Sequence, residues 1–132
     1  MGQRIIVAAK EAGCTISGAL ERPGHELVGQ DAGIIAGFGA LGVAISDDLN
    51  AVVAGCDVLI DFTTPKVSLK NLEVCSLKKK SIVIGSTGFT PEDRLLAAEL
   101  AKEISAVLAP NMSVGVNVCF KVLKDVARTL GD

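Results

Sequence analysis

With 132 residues, the chain is sized for one domain that would bury roughly two thirds of the surface its unfolded form exposes. A formal net charge of -2 and an aromatic content of 3% exclude the basic, base-stacking footprint of a nucleic-acid binder. Hydrophobic residues make up 49% of the chain, yet Gly, Asp and Lys interrupt every apolar run well short of the ~20 residues of a membrane-spanning helix, so neither nucleic acid nor membrane is an expected partner.

From Gln3 to Ala12, the residues Ile5, Ile6, Ala9 and Ala12 share one helical stripe opposite Lys10 and Glu11. Gly13 then stands where a left-handed residue closes a helix. No apolar core with a small-residue cleavage site precedes this segment, which makes the cytoplasm the expected location. Thr15 to Leu20 reads as a strand, and Pro23 to Gly42 as a long Gly-rich loop with room for a helical turn. Val43 to Ile45 is a short strand, and Asp47 or Asp48 caps a helix reaching about Ala54, with Gly55 as its stop.

The second half alternates more regularly. Val58 to Phe62 is unbroken in apolar character apart from Asp61, as a strand covered on both faces would be. Pro65 fits the first turn of a helix running to about Lys79, where the run Lys78-Lys79-Lys80 suits a solvated carboxyl end better than a binding patch. Ser81 to Ile84 resumes the sheet. Thr90-Pro91-Glu92-Asp93 combines a capping residue, a first-turn proline and early acids, starting a helix to about Glu103 ahead of a strand from Ala106 to Ala109. From Ser113 onward Cys119, Val122, Leu123, Val126 and Leu130 recur at helical spacing, and Gly131 provides the stop. The alternation predicts an α/β fold, a Rossmann-like doubly wound parallel sheet.

Cys14, Cys56, Cys75 and Cys119 form no C-x-x-C pair, so four reduced and mostly buried thiols are expected rather than a zinc or disulfide framework. The one histidine, His25, follows Pro23-Gly24 with no nucleophile beside it and reads as a solvated loop residue.

Chemistry is sought at the turns. Asp61-Phe62-Thr63-Thr64-Pro65, Ile84-Gly85-Ser86-Thr87-Gly88-Phe89 and Ala109-Pro110-Asn111-Met112-Ser113-Val114-Gly115-Val116-Asn117 each follow a strand. They line one sheet edge, where open α/β sheets hold ligands. Taken singly, Gly85 and Gly88 are equally explained by tight turns, and Thr63 and Ser113 by helix capping. Gly2 opens the first helix, and Glu21 follows the next strand at the spacing of a ribose-binding acid. Arg22 beside it suits a 2′-phosphate, although a solvated turn explains the pair as well.

These turns, together with Ala19-Leu20-Glu21-Arg22-Pro23-Gly24 and Val28-Gly29-Gln30-Asp31-Ala32-Gly33, closely resemble dihydrodipicolinate reductases of bacterial and plastid lysine biosynthesis. The resemblance implies NADH or NADPH as cofactor and reduction of a dihydrodipicolinate precursor to tetrahydrodipicolinate in lysine and diaminopimelate biosynthesis, in the cytoplasm or, for a plant-type source, the plastid stroma. It implies that Glu21 binds the adenosine ribose and Arg22 a 2′-phosphate, while Gly85, Ser86 and Thr87 border the nicotinamide and Ala109, Pro110, Asn111 and Met112 complete that wall. Met1-Gly2 resembles the end of the family's G-x-x-G-R-M-G fingerprint, which implies an opening strand and two glycines upstream. By the resemblance this chain lacks the family's first strand and its C-terminal substrate domain with the proton donor, so no catalytic residue falls in it. The division implied is an incomplete dinucleotide-binding domain over 1–112 and a hinge-proximal segment with a connecting helix over 113–132. Two other readings stay open: a non-catalytic remnant acting as a nucleotide-binding or association module, which leaves room for a homo-oligomer, and another Rossmann dehydrogenase of amino-acid metabolism.

Overall fold

The computed structural model describes residues 1–131; Asp132, the last residue of the expected connecting segment, lies outside them. Six helices and five strands alternate among the described residues: α1 (Gly2–Glu11), β1 (Ala19–Leu20), α2 (Ala32–Ala36), β2 (Ile45–Ser46), α3 (Leu49–Ala54), β3 (Val58–Asp61), α4 (Pro65–Leu77), β4 (Ser81–Ile84), α5 (Pro91–Leu100), β5 (Ala106–Leu108) and α6 (Val114–Leu130). Every named strand pairing is parallel. The strands form two separate pieces, β1-β2 and β3-β4-β5.

The helix starts follow local chemistry. Asp48 caps α3 by accepting from the Ala51 N–H. Thr90 and Asp93 form a reciprocal capping box at α5, which satisfies two otherwise orphaned donors. Gly13 takes a positive φ of 80° just past α1, as its position predicts. At the far end of α4, Lys79 adopts φ 55°, a left-handed conformation more usual for glycine, and its ammonium pairs with Glu103.

Several boundaries contract. The expected strand Thr15 to Leu20 pairs only at Ala19 and Leu20, because among the described residues β1 has the two-residue β2 as its one ladder partner. The strand placed at Val43 to Ile45 becomes Ile45–Ser46, and Ala44 instead makes an isolated antiparallel bridge to Asp31. The strand expected to Phe62 ends at Asp61, and that expected to Ala109 ends at Leu108. Helices α4 and α5 stop at Leu77 and Leu100 rather than near Lys79 and Glu103.

The core sits on one face of the three-stranded piece. Ile82 and Ile84 of β4 point into a cluster with Val53, Leu72, Cys75, Phe89 and Ala97, supplied by α3, α4, α5 and the β4–α5 turn. The opposite face is open: Val58 and Ile60 are 48% and 45% exposed, and Val107 is 52% exposed. The unbroken apolar character of β3 therefore does not mark burial on both faces. Helix α6 has no buried residue either, so its apolar stripe is uncovered. Accessible surface totals 8542 Å², against about 6,600 Å² for a compact chain of this mass.

Of the four cysteines, Cys56 and Cys75 are buried, whereas Cys14 and Cys119 are exposed. Half, rather than most, serve as core residues.

Candidate functional site

The parallel register brings the three polar turns to one end of the sheet, with Asp61 paired to Ile84 and Ile84 to Leu108. Ile84 pairs with Leu108 at the carboxyl ends of β4 and β5, so Gly85–Thr87 and Ala109–Met112 leave the sheet side by side. The Ala109 N–H donates to the Ile84 carbonyl (3.1 Å), and the Gly85 N–H donates to the Asp61 carbonyl (2.8 Å), which carries the ladder one step beyond the strands.

Gly85 is required by packing. A Cβ at this position would run into the Phe62 ring, so the β4 turn can lie flat against β3 only without a side chain. Gly88, at φ 90°, then reverses the chain toward α5. Thr87 is exposed, while Ser86 is buried. The Ser86 hydroxyl faces inward to Ser68 Oγ at 2.8 Å.

Across the turn after β5, Asn111 Oδ1 accepts from the Ser113 N–H (2.8 Å), and the Asn117 side-chain amide donates to the Asn111 and Ser113 carbonyls (3.0 and 2.9 Å). Ser113 Oγ accepts from the Val116 N–H, which caps α6. Pro110, Asn111 and Met112 are exposed and Ala109 is half-buried. This wall is shaped by its own asparagines and by the start of α6.

The other predicted residues lie elsewhere in the fold. Glu21 and Arg22 directly follow β1, in the two-stranded piece. The Glu21 N–H donates to the Ser46 carbonyl (2.9 Å), and its carboxylate accepts from the Arg22 N–H (3.0 Å). Gly2 opens α1 with nothing within 4 Å of where a Cβ would stand. No side chain caps that helix, and the Arg4 N–H donates to the Met1 carbonyl (2.9 Å). His25 is half-buried, and its Nδ1 accepts from the Leu27 N–H (3.2 Å), which makes it a loop-closing residue.

Two features carry roles that the sequence motifs do not announce. Asp31 accepts from the N–H groups of Gly33, Ile34, Leu41 and Gly42, tying down the loop after β1. The second feature is a buried polar cluster beneath the β3 and β4 turns, made of Asp61, Thr63, Ser68, Asn71 and Ser86. Asp61 is 3% exposed and Ser68 0%. An available signal was the placing of Ser68 and Asn71 on the same α4 face as the core residues Leu72 and Cys75, since polar side chains on a core-facing stripe need partners.

A hollow of about 210 Å³ lies between α5 and β5, lined by residues such as Leu72, Ala97, Ala101 and Leu108. It is lined mostly by apolar side chains, with Arg94 beside them, and of the polar turns it reaches only Ile84. Among the described residues no group of three or more His, Cys, Asp or Glu side chains is placed to hold a metal, and no helix is long and apolar enough to cross a membrane.

Parallel strands, alternating helices and turns gathered at the carboxyl ends of the strands define a Rossmann-like α/β fold. A solved structure of amine dehydrogenase from Mycobacterium smegmatis shares it, with a TM-score of 0.68 and 27% identity over 80% of this chain and 34% of that one. The chain belongs to the family described as dihydrodipicolinate reductase, N-terminus, whose family model matches residues 1–112. It is 90% identical over 132 residues to the 4-hydroxy-tetrahydrodipicolinate reductases of Geobacter metallireducens and Geobacter sulfurreducens, and 86% identical to that of Trichlorobacter lovleyi. All of the chain is covered in each comparison and 50% of each relative, so the chain spans half the length of the curated relatives it matches.

Proposed function

We propose that this chain is the nucleotide-binding half of a 4-hydroxy-tetrahydrodipicolinate reductase, holding NADH or NADPH for reduction of the dihydrodipicolinate precursor in lysine and diaminopimelate biosynthesis. The observation that carries this reading is the side-by-side exit of the Gly85–Thr87 and Ala109–Met112 turns from paired strands, within a chain of that family.

The residues present fit the two ends of a dinucleotide. Glu21 offers carboxylate oxygens to ribose hydroxyls, Arg22 a guanidinium to a 2′-phosphate, and Gly2 an uncapped helix N-terminus to the pyrophosphate. Backbone groups of Gly85 to Thr87 and of Ala109 to Met112 form a wall for the nicotinamide. When bound, the nicotinamide supplies the reducing electrons, and the chain's own residues bind it, orient it and shield it. Residues 1–112 are the binding unit in this reading, and the remainder through α6 leads toward the substrate-binding part. A small-molecule substrate is a partner only where that part is present, and cytoplasmic placement follows from the bacterial biosynthetic role.

A second reading, an association module without catalysis, is favoured by the uncovered stripe of α6 and the open face of β3-β4-β5. Titration of the 15N-labelled chain with NADPH distinguishes the two. Saturable shifts at Gly85, Thr87, Ala109 and Glu21 are expected, with weak affinity because among the described residues no strand and glycine turn precede α1 to cradle the pyrophosphate. Shifts confined to α6 that grow with protein concentration would instead support association.

A further inference from the structure

The polar cluster beneath the turns is fully connected. Asp61 Oδ1 accepts from the Thr63 N–H at 2.8 Å and from the Thr63 hydroxyl at 2.6 Å, and Asp61 Oδ2 accepts from the Asn71 amide at 3.0 Å. Thr63 Oγ1 lies 3.4 Å from Ser68 Oγ, and Ser68 Oγ lies 2.8 Å from Ser86 Oγ. Among the described residues no buried side-chain nitrogen or oxygen lacks a partner.

Donor arithmetic gives the chain a direction. The carboxylate oxygens of Asp61 accept, so the one proton of the Thr63 hydroxyl is committed to them. Thr63 Oγ1 is then left to accept from Ser68, and Ser68 to accept from Ser86. The Ser86 proton is drawn inward, and its hydroxyl is spent on the fold. A completely buried serine on α4 therefore sits between the carboxylate that ends β3 and the turn that leaves β4, with no other evident task.

We propose that Ser68 is a positioning residue, which latches the Ser86 hydroxyl and holds the Gly85–Thr87 turn in the shape that borders a nicotinamide. The proposal rests on the cofactor reading above for what the turn touches. Ser86 meets a ligand through its backbone, and Thr87 is the residue of the turn whose hydroxyl is free to face one.

The test uses the whole chain and its Ser68→Ala, Ser86→Ala and doubly substituted forms. Each is titrated by NMR with NADPH and with 2′,5′-ADP, which carries the adenine end but no nicotinamide. Losing one hydroxyl pair should weaken NADPH about two- to tenfold and leave 2′,5′-ADP within twofold. The double form should lose no more than Ser68→Ala alone, since that form already lacks the bond that Ser86→Ala breaks. Hydrogen exchange at the Gly85 amide should quicken by a similar factor, while the Ile82 amide stays protected. Equal weakening of both ligands, additive losses, or unchanged affinity and exchange would each overturn the latch. If the original chain binds neither ligand, the cofactor reading fails, and the exchange at Gly85 still decides the latch. Should Ser68→Ala not fold, Ser86→Ala carries the same measurements with Ser68 still bonded to Thr63.

Discussion

At the scale of single residues, two kinds of side chain report on the fold. Burial, reinforced by the nearby Cys56 and Asp61, pushes the Cys75 thiol up to about 11 from its ordinary 9.0, and burial also raises Cys56. A raised thiol pKa means that the folded state prefers the protonated form. The associated stability is complete below pH 9 and is lost as the pH climbs through about 11, a change on the order of 2 kcal/mol for Cys75. Denaturant melts between pH 8 and 11 should show this decline, and Cys75→Ala, at some cost in packing, should flatten it. A thiol-reactive disulfide at pH 8 should modify Cys14 and Cys119 quickly and the buried pair only on unfolding. Arg22 reports on the ligand. Its replacement by Ala should weaken NADPH about tenfold, through loss of a charge-assisted bond, and should leave NADH nearly unchanged. Equal losses for the two cofactors in parallel titrations would remove Arg22 from the 2′-phosphate.

Among the elements, the loop from Asp31 to Gly42 depends on one side chain. The Asp31 carboxyl is held below its ordinary 3.8, chiefly by the Leu41 N–H and then by that of Ile34, with Gly42 and Gly33 adding to them. A depressed carboxyl contributes stability above pH 3.8 that is lost as the pH falls through its folded value. The Leu41 and Gly42 amides should keep their exchange protection down to pH 3.8 and lose it only below that, and Asp31→Asn should bring that loss to neutral pH; protection that survives the substitution would show that the loop is held some other way. What could be read along the chain in advance follows the range of the forces involved. The start of α5 is legible because Thr90, Pro91 and Asp93 act within one turn, and Gly13 and Ser113 mark helix ends for the same local reason. The Asp31 loop is not, since its partners lie ten and eleven residues away. The Ser68–Ser86 bond joins positions eighteen apart on different elements, and a serine among helical apolar residues does not name its partner. Strand β3 shows the limit from the other side: Val58 and Ile60 have the composition of a doubly covered strand, but cover is supplied by other elements, and here only one face receives it.

On the scale of the whole molecule, the divided sheet sets the stability. Among the described residues β1 pairs only with β2, and β3 only with β4, so each piece has an inner edge of unpaired N–H and C=O groups. Such edges recruit strands from other chains. The same region lacks apolar cover, as the exposed Val58, Ile60 and Val107 show, and the accessible surface exceeds that of a compact chain of this mass by about 2,000 Å². In Rossmann folds the first strand lies at the centre of the sheet, and the glycine turn after it meets the pyrophosphate. A Val- and Ile-rich strand ending in a G-x-x-G-R turn, joined ahead of Met1, should therefore act on two properties at once. By pairing with β1 and β3 it should raise the denaturation midpoint, sharpen the transition and shift sedimentation from associated species to monomer. By placing backbone donors before α1 it should tighten NADPH at least tenfold, the effect of adding one or two hydrogen bonds to a charged group. The two readouts separate the causes, because a strand that pairs without its glycines should restore the melt and leave the affinity low. A 132-residue chain that is already monomeric, with a sharp transition unaffected by the added strand, would show that β1 and β3 are satisfied without a strand between them.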